Sequence, residues 1–193
     1  MKSLLKTTAR LLAMLAITPL LLTHQTLGRL AGADASLESH SQLLSLIPGT
    51  VGSYLRVAFY RFALEHCAAS ATIGFGVLFS KTGARVGENV YIGPRCMLGW
   101  VDLEADVLLG PAVQIPSGPQ THGIERLDVP VRTQPGSPRR VTIGRDSWIG
   151  AGAIVLADVA EQTIVGAGSI VTKPLAARCV AVGNPACPLV ERK

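Results

Sequence analysis

From Val86 onward an aliphatic residue followed by glycine returns every six positions, at Val86-Gly87, Ile92-Gly93 and Leu98-Gly99. A helix repeats every ~3.6 residues and a strand every two, so neither produces this spacing; six is the period of a hexapeptide repeat. The pattern resumes at Leu109-Gly110 and Ile115, breaks at a polar stretch containing Thr121-His122-Gly123, and returns at Ile143-Gly144, Ile149-Gly150, Val155, Val165-Gly166 and Val171. The break is an insertion into one continuous stack, spanning 119–140, with His122 at its root.

The spacing predicts an all-β fold, a parallel β-helix of triangular section in which three short strands and three turns complete a coil of about eighteen residues. The aliphatic residue points inward, and the small residue after it lets the chain turn the corner without a clash. Coils stack as in any sheet, at about 4.8 Å, and none can bury its apolar face alone. This domain is expected over 68–193.

Residues 1–67 read differently. Lys2, Lys6 and Arg10 fall four apart, on one helical face, and an apolar run of twelve follows from Leu11. Twelve is short of the ~20 residues of a routine span, so the segment is expected to lie as a basic apolar helix on a membrane surface, ended or kinked by Pro19. A helix packed on the protein itself, and a signal peptide with small residues at Ala31-Gly32-Ala33, are the alternatives. Gly28 to Gly49 reads as a linker. A second helix over Thr50 to Cys67 would place Val51, Leu55, Phe59 and Phe62 on one face, capping the open first coil. With six basic and three acidic residues, 1–67 carries +3 of the chain's net +5, which favours anionic lipid.

The insertion has too few aromatics and too modest a charge for a nucleic-acid surface. Cys67, Cys96, Cys179 and Cys187 show no metal or redox spacing, and no metal is expected.

Four blocks after the looped histidine narrow the reading: Ile143-Gly144, Trp148-Ile149-Gly150, the run Val165-Gly166-Ala167-Gly168-Ser169-Ile170-Val171-Thr172-Lys173, and Gly183-Asn184-Pro185-Ala186. In that order they resemble the hexapeptide-repeat acyltransferases with a left-handed parallel β-helix, and especially their galactoside, maltose and xenobiotic O-acetyltransferase branch. The resemblance covers roughly Ala71 to Leu189. It implies a homotrimer with acetyl-CoA, or another acyl-CoA, in the groove between two prisms. His122 then takes the catalytic position, Ala151 and Ala167 match corners along which the pantetheine arm runs, and Thr172 and Lys173 match residues near the adenosine phosphates. Two departures stand out. Related sugar acetyltransferases carry an Asn-Phe-Asn stretch where this chain has Arg95-Cys96-Met97, and their basic residue after the Gly-x-Pro-x turn is here Cys187.

The implied chemistry needs a base, because an alcohol is a poor nucleophile at neutral pH and a neutral imidazole can take its proton. The expected function is acyl-CoA-dependent O-acylation of a sugar or lipid-linked glycan, in the cytoplasm at the inner membrane face. An N-acyltransferase of the same fold and a non-catalytic coil scaffold are the alternatives.

Overall fold

The computed structural model describes residues 2–192. Three helices precede the coils: α1 (Lys2–Ala31), α2 (Ala33–Ser45) and α3 (Gly49–Ala63). The first coil carries β1 (His66–Cys67), β2 (Thr72–Ile73) and β3 (Leu78–Phe79). The second carries β4 (Arg85–Val86), β5 (Tyr91–Ile92) and β6 (Met97–Leu98). The third has β7 (Val101–Leu103), β8 (Leu108–Leu109) and β9 (Gln114–Ile115), and the fourth, beyond the insertion, β10 (Val141–Ile143), β11 (Trp148–Ile149) and β12 (Ile154–Val155). A fifth coil holds β13 (Ile164–Val165) and β14 (Ile170–Val171); a partial sixth ends in β15 (Cys179–Val182), which pairs antiparallel with β16 (Cys187–Glu191).

The strands form three parallel sheets along the stack: β1-β4-β7-β10, β2-β5-β8-β11-β13-β15 and β3-β6-β9-β12-β14. Val86, Ile92, Leu109, Ile149 and Val165 point inward and are fully buried. Burying each such side chain contributes about 1.5–3 kcal/mol. The glycine after each aliphatic residue is needed for a reason other than the expected corner. A Cβ on Gly93 would lie 2.7 Å from Gly110 C, and one on Gly110 would lie 2.7 Å from Ala151 N, so a larger residue would force stacked coils apart. The left-handed turn conformations fall on other residues, among them Arg95, Ala112, Gly152 and Gly168.

The outward faces differ. The register aligns His66, Arg85, Asp102 and Thr142 on the first sheet, a polar face. On the second it aligns Thr72, Tyr91, Leu108, Trp148, Ile164 and Val180, and on the third Leu78, Met97, Gln114, Ile154 and Ile170. Two of the three outward faces are therefore largely apolar.

The helical region departs from three expectations. Gly28 to Gly49 is no linker: α2 buries Leu37, His40, Ser41 and Leu44, a 3-1-3 spacing that is one helical face. Pro19 does not end α1, which runs through it to Ala31. By length and composition Thr7–Ala31 is long and apolar enough to cross a membrane, which the twelve-residue run understated. The basic face is described only at Arg10, since the side chains of Lys2 and Lys6 lie outside the described residues. Finally, α3 buries Gly52, Arg56, Val57, Ala58, Phe59, Tyr60 and Ala63, while Val51 and Phe62 face outward. The reason is that α3 is held on two sides, by the first coil and by α1, whose Ala13 and Ile17 pack on Ala58.

Candidate active site

The insertion leaves the third sheet after β9 and re-enters the first sheet at β10, so it springs from the edge between them. It is folded on itself rather than splayed. The amide of Gln134 donates to the carbonyls of Arg126 (2.7 Å) and Val129 (3.3 Å), and its oxygen accepts from Arg126 N at 3.1 Å. Ser137 N donates to Gln120 O (2.7 Å) and Arg139 N to Ser117 O (2.9 Å), closing the base of the loop. Gly136 lies against the Thr121-His122 peptide, where a Cβ would come 2.7 Å from His122 N. The backbone of His122 is thus pinned by the returning strand, while its side chain is exposed and has no hydrogen-bond partner among the described residues. An imidazole presented in this way has both ring nitrogens open to a substrate or donor.

Its chain neighbour Thr121, though not His122 itself, lines a cavity of about 350 Å³ on the third sheet, together with Met97, Gln114, Ile154, Leu78 and Lys81 among others. Met97 stands 52% exposed at its floor. At its rim Lys81 Nζ meets Asp34 of α2 at 3.0 Å. Asp34 also accepts from Thr82 N at 2.8 Å. Burial raises the Asp34 pKa, but these bonds outweigh it and hold the carboxyl below its ordinary value.

The four residues matched to CoA fall on two edges of the prism. Ala151 and Ala167 stack on each other at the edge between the second and third sheets, where Gly168 N donates to Ala151 O at 2.8 Å. Their neighbours Gly152 and Gly168 have open space where a Cβ would be, so that edge is bare backbone. Thr172 and Lys173 follow β14 and lie at the opposite edge of the third sheet, the edge from which the His122 loop springs, two coils further along. A single chain therefore does not bring His122 to Ala151 and Ala167. Cys67, Cys96 and Cys179 are buried, and desolvation pushes the thiols of Cys67 and Cys96 up to about 12 and about 11, which makes those two poor nucleophiles.

No family model matches the chain. It is 32% identical over 123 residues to the galactoside O-acetyltransferase of Lactococcus lactis subsp. lactis, covering 55% of this chain and 54% of that protein. Its fold matches the maltose O-acetyltransferase of Clostridium difficile 630 with a TM-score of 0.68 at 20% identity, over 83% of this chain and 88% of that one. It also matches a hexapeptide-repeat acetyltransferase of Vibrio cholerae O1 biovar eltor, solved with acetyl-CoA, with a TM-score of 0.63 at 21% identity over 82% and 88%.

The chain resembles hexapeptide-repeat acetyltransferases in sequence over about half of its length and in fold over about four fifths.

The two structural likenesses carry the fold, the left-handed parallel β-helix with an N-terminal helical segment. The chain spans between 39% and 54% of the length of the curated relatives it matches.

Among the residues that sequence reasoning missed are Gly136 and Gln134, which hold the loop that presents His122, and Asp34, which ties α2 to the cavity rim. A Gly and a Gln in a Pro-rich insertion carry no periodic signal; only the folded loop shows what they touch.

Proposed function

We propose that the protein transfers an acyl group, in the first instance acetyl, from acyl-CoA to a hydroxyl of a sugar or a lipid-linked glycan precursor. The observation that carries this reading is the pinned, exposed His122, whose chain neighbour Thr121 lines a cavity on the sheet face. The acceptor hydroxyl lies within reach of the imidazole, which takes its proton as the oxygen attacks the thioester carbonyl. The C–S bond of the resulting tetrahedral intermediate then breaks, and the departing thiolate recovers the proton from the imidazolium. Gln114 and Thr121 are the polar groups of the cavity available to orient the acceptor. The bare backbone at Ala151 and Ala167 suits the pantetheine arm, and Lys173 supplies a cation for phosphate.

The separation of His122 from Ala151 and Ala167 supports a homotrimer. A second copy would bring its own Ala edge to this chain's His122, and the two apolar outward faces on each prism offer surface for such a contact. Charge and apolarity support a membrane-peripheral location at the inner face. Residues 1–33 contain no Asp or Glu. Leu11, Leu12, Leu15 and Leu22 of α1 and Phe62 of α3 are exposed, and Arg10 and Arg61 stand beside them. Because α1 is docked on α2 and α3 along its length, it would lie on the membrane surface rather than cross it.

Replacing His122 with Asn tests the chemistry. Turnover is expected to fall about 100-fold to 10,000-fold, the worth of a positioned general base, with the KM for acetyl-CoA little changed. Lys173→Ala should raise that KM and spare turnover at saturating donor. An unchanged chemical-step rate in His122→Asn would remove His122 from its role.

A further inference from the structure

Away from the His122 loop, α1, α3 and the first two coils enclose a second cleft of about 530 Å³. Its lining includes two arginines, Arg10 and Arg56, and no Asp or Glu. Arg56 is 1% exposed. Its Nε donates to Ile73 O at 3.1 Å, and its Nη1 to Leu44 O at 3.0 Å and Ile47 O at 2.8 Å. Among the described residues Nη2 makes no hydrogen bond and no carboxylate pairs with the guanidinium. A charge taken out of water and met only by carbonyl dipoles is costly unless something neutralises it. Burial accordingly lowers the pKa of Arg56. Gly52 stands beside it: a Cβ there would run into the Ile47 carbonyl first and would also lie 2.9 Å from Nη1, so the close approach of the backbone at this point admits only glycine. The chain thus makes room for a buried cation and supplies no anion.

The rest of the lining suits an oxyanion. Arg10 has no ion-pair partner among the described residues. Thr50 and Tyr54 bring hydroxyls, and Ser53 Oγ accepts from Ile73 N at 3.3 Å, which leaves its own proton free to donate. Glu88, which is not part of the lining, is engaged by Ser70 Oγ. In addition α3 begins at this cleft with no side-chain cap on its first N–H groups, and a helix start of that kind adds to the field of the two arginines.

We propose that this cleft binds a phosphate-bearing ligand, with phosphoryl oxygens between Arg10 and Nη2 of Arg56 and accepting from Thr50, Ser53 and Tyr54. The volume exceeds what a lone phosphate fills, and Tyr54, Phe75 and Tyr91 offer ring surface for an attached organic group. The phosphoryl group could come from a soluble phosphoester or from a phospholipid head group. The site is separate from the acyl-transfer reading and stands or falls without it.

The test uses the full-length protein in a neutral detergent with CoA saturating, so that any phosphate contacts in the coil groove are already occupied. Equilibrium dialysis with radiolabelled pyrophosphate should show one saturable site per chain. Arg10→Gln should weaken it about tenfold or more, the scale of one charge-assisted hydrogen bond, with an unchanged circular dichroism spectrum. Ser53→Ala should weaken it by less. Arg56 substitutions risk the fold, so the surface arginine carries the decision. Absence of saturable binding up to about 10 mM, a level at which even a weak site of about 1 mM would fill, overturns the proposal. So does equal binding by Arg10→Gln and Ser53→Ala. Displacement of the label by phosphatidylglycerol vesicles assigns the ligand to a head group; displacement by a soluble sugar phosphate alone assigns it to solution.

Discussion

The coil stack and the helices that precede it fold by opposite strategies. In the stack the same contact recurs: an aliphatic residue in, a glycine against the next coil, and a backbone bond such as Gly93 N to Leu109 O at 2.9 Å or Gly110 N to Ile149 O at 2.8 Å. In the helices each contact occurs once and many are polar. His24 Nδ1 meets Ser36 Oγ at 3.0 Å, His40 Nε2 meets Thr23 Oγ1 at 2.8 Å, and Ser41 Oγ bridges Tyr60 OH at 2.7 Å and Phe79 N at 2.9 Å. Desolvation raises the Tyr60 pKa, further favouring the neutral hydroxyl that bridges to Ser41. A repeated apolar contact tolerates change in any one coil, whereas a buried polar network depends on every member being satisfied. The stack is thereby suited to hold chemistry and assembly, and the helices to respond to their surroundings.

The largest test of that division is Trp148→Arg. Trp148 is 50% exposed on the second sheet, in the ladder proposed to meet another copy. An unpaired charge in that contact costs about 3–5 kcal/mol, so light scattering should give a single-chain mass where the parent is expected to give three, and turnover should fall with it. An active trimer in this variant would show that the coil's outward ladder is not the contact. The paired change Leu15→Glu and Phe62→Glu puts the same question to the helices with a smaller effect. Flotation with phosphatidylglycerol vesicles should drop about tenfold or more, each lost apolar side chain being worth up to about 1.5–3 kcal/mol, while mass and turnover in solution stay unchanged. Unchanged flotation would take membrane contact away from this face.

The smallest effect is on pH. Desolvation first, and the charge of His40 second, lower the pKa of His24 below 6.5. The groups facing the pair are Ser36, Thr23 and the Phe59 ring, with no carboxylate among them. A base with a depressed folded pKa costs nothing above pH 6.5, where it is neutral both folded and unfolded. Below pH 6.5 the unfolded chain binds the proton that the folded chain refuses, so stability falls with pH. The melting temperature should therefore decline as pH drops from 6.5 toward the folded pKa, and His24→Gln should flatten that decline. An equal decline in His24→Gln would place the sensitivity outside the helices.

The sequence by itself determined the coil. A period of six with an aliphatic residue and a glycine has no other regular solution, and it located the insertion and the histidine at its root. Sequence also identified two helices before the coils but misread the face of α3 and lost α2 inside a supposed linker. The reason is physical: the periodic rule assumes one buried face, and α3 is buried on two, against α1 and against the first coil. Only the tertiary structure decided that Gly136 braces His122, that Asp34 reaches the cavity rim, and that Ala151 and Ala167 stand on a different edge from Lys173. Such facts depend on which corners of different coils fall on one edge of the prism. Spacing within a repeat is local and visible in the chain, whereas the meeting of a loop, a helix and a distant corner is set by how many residues each turn spends, which only the folded stack adds up.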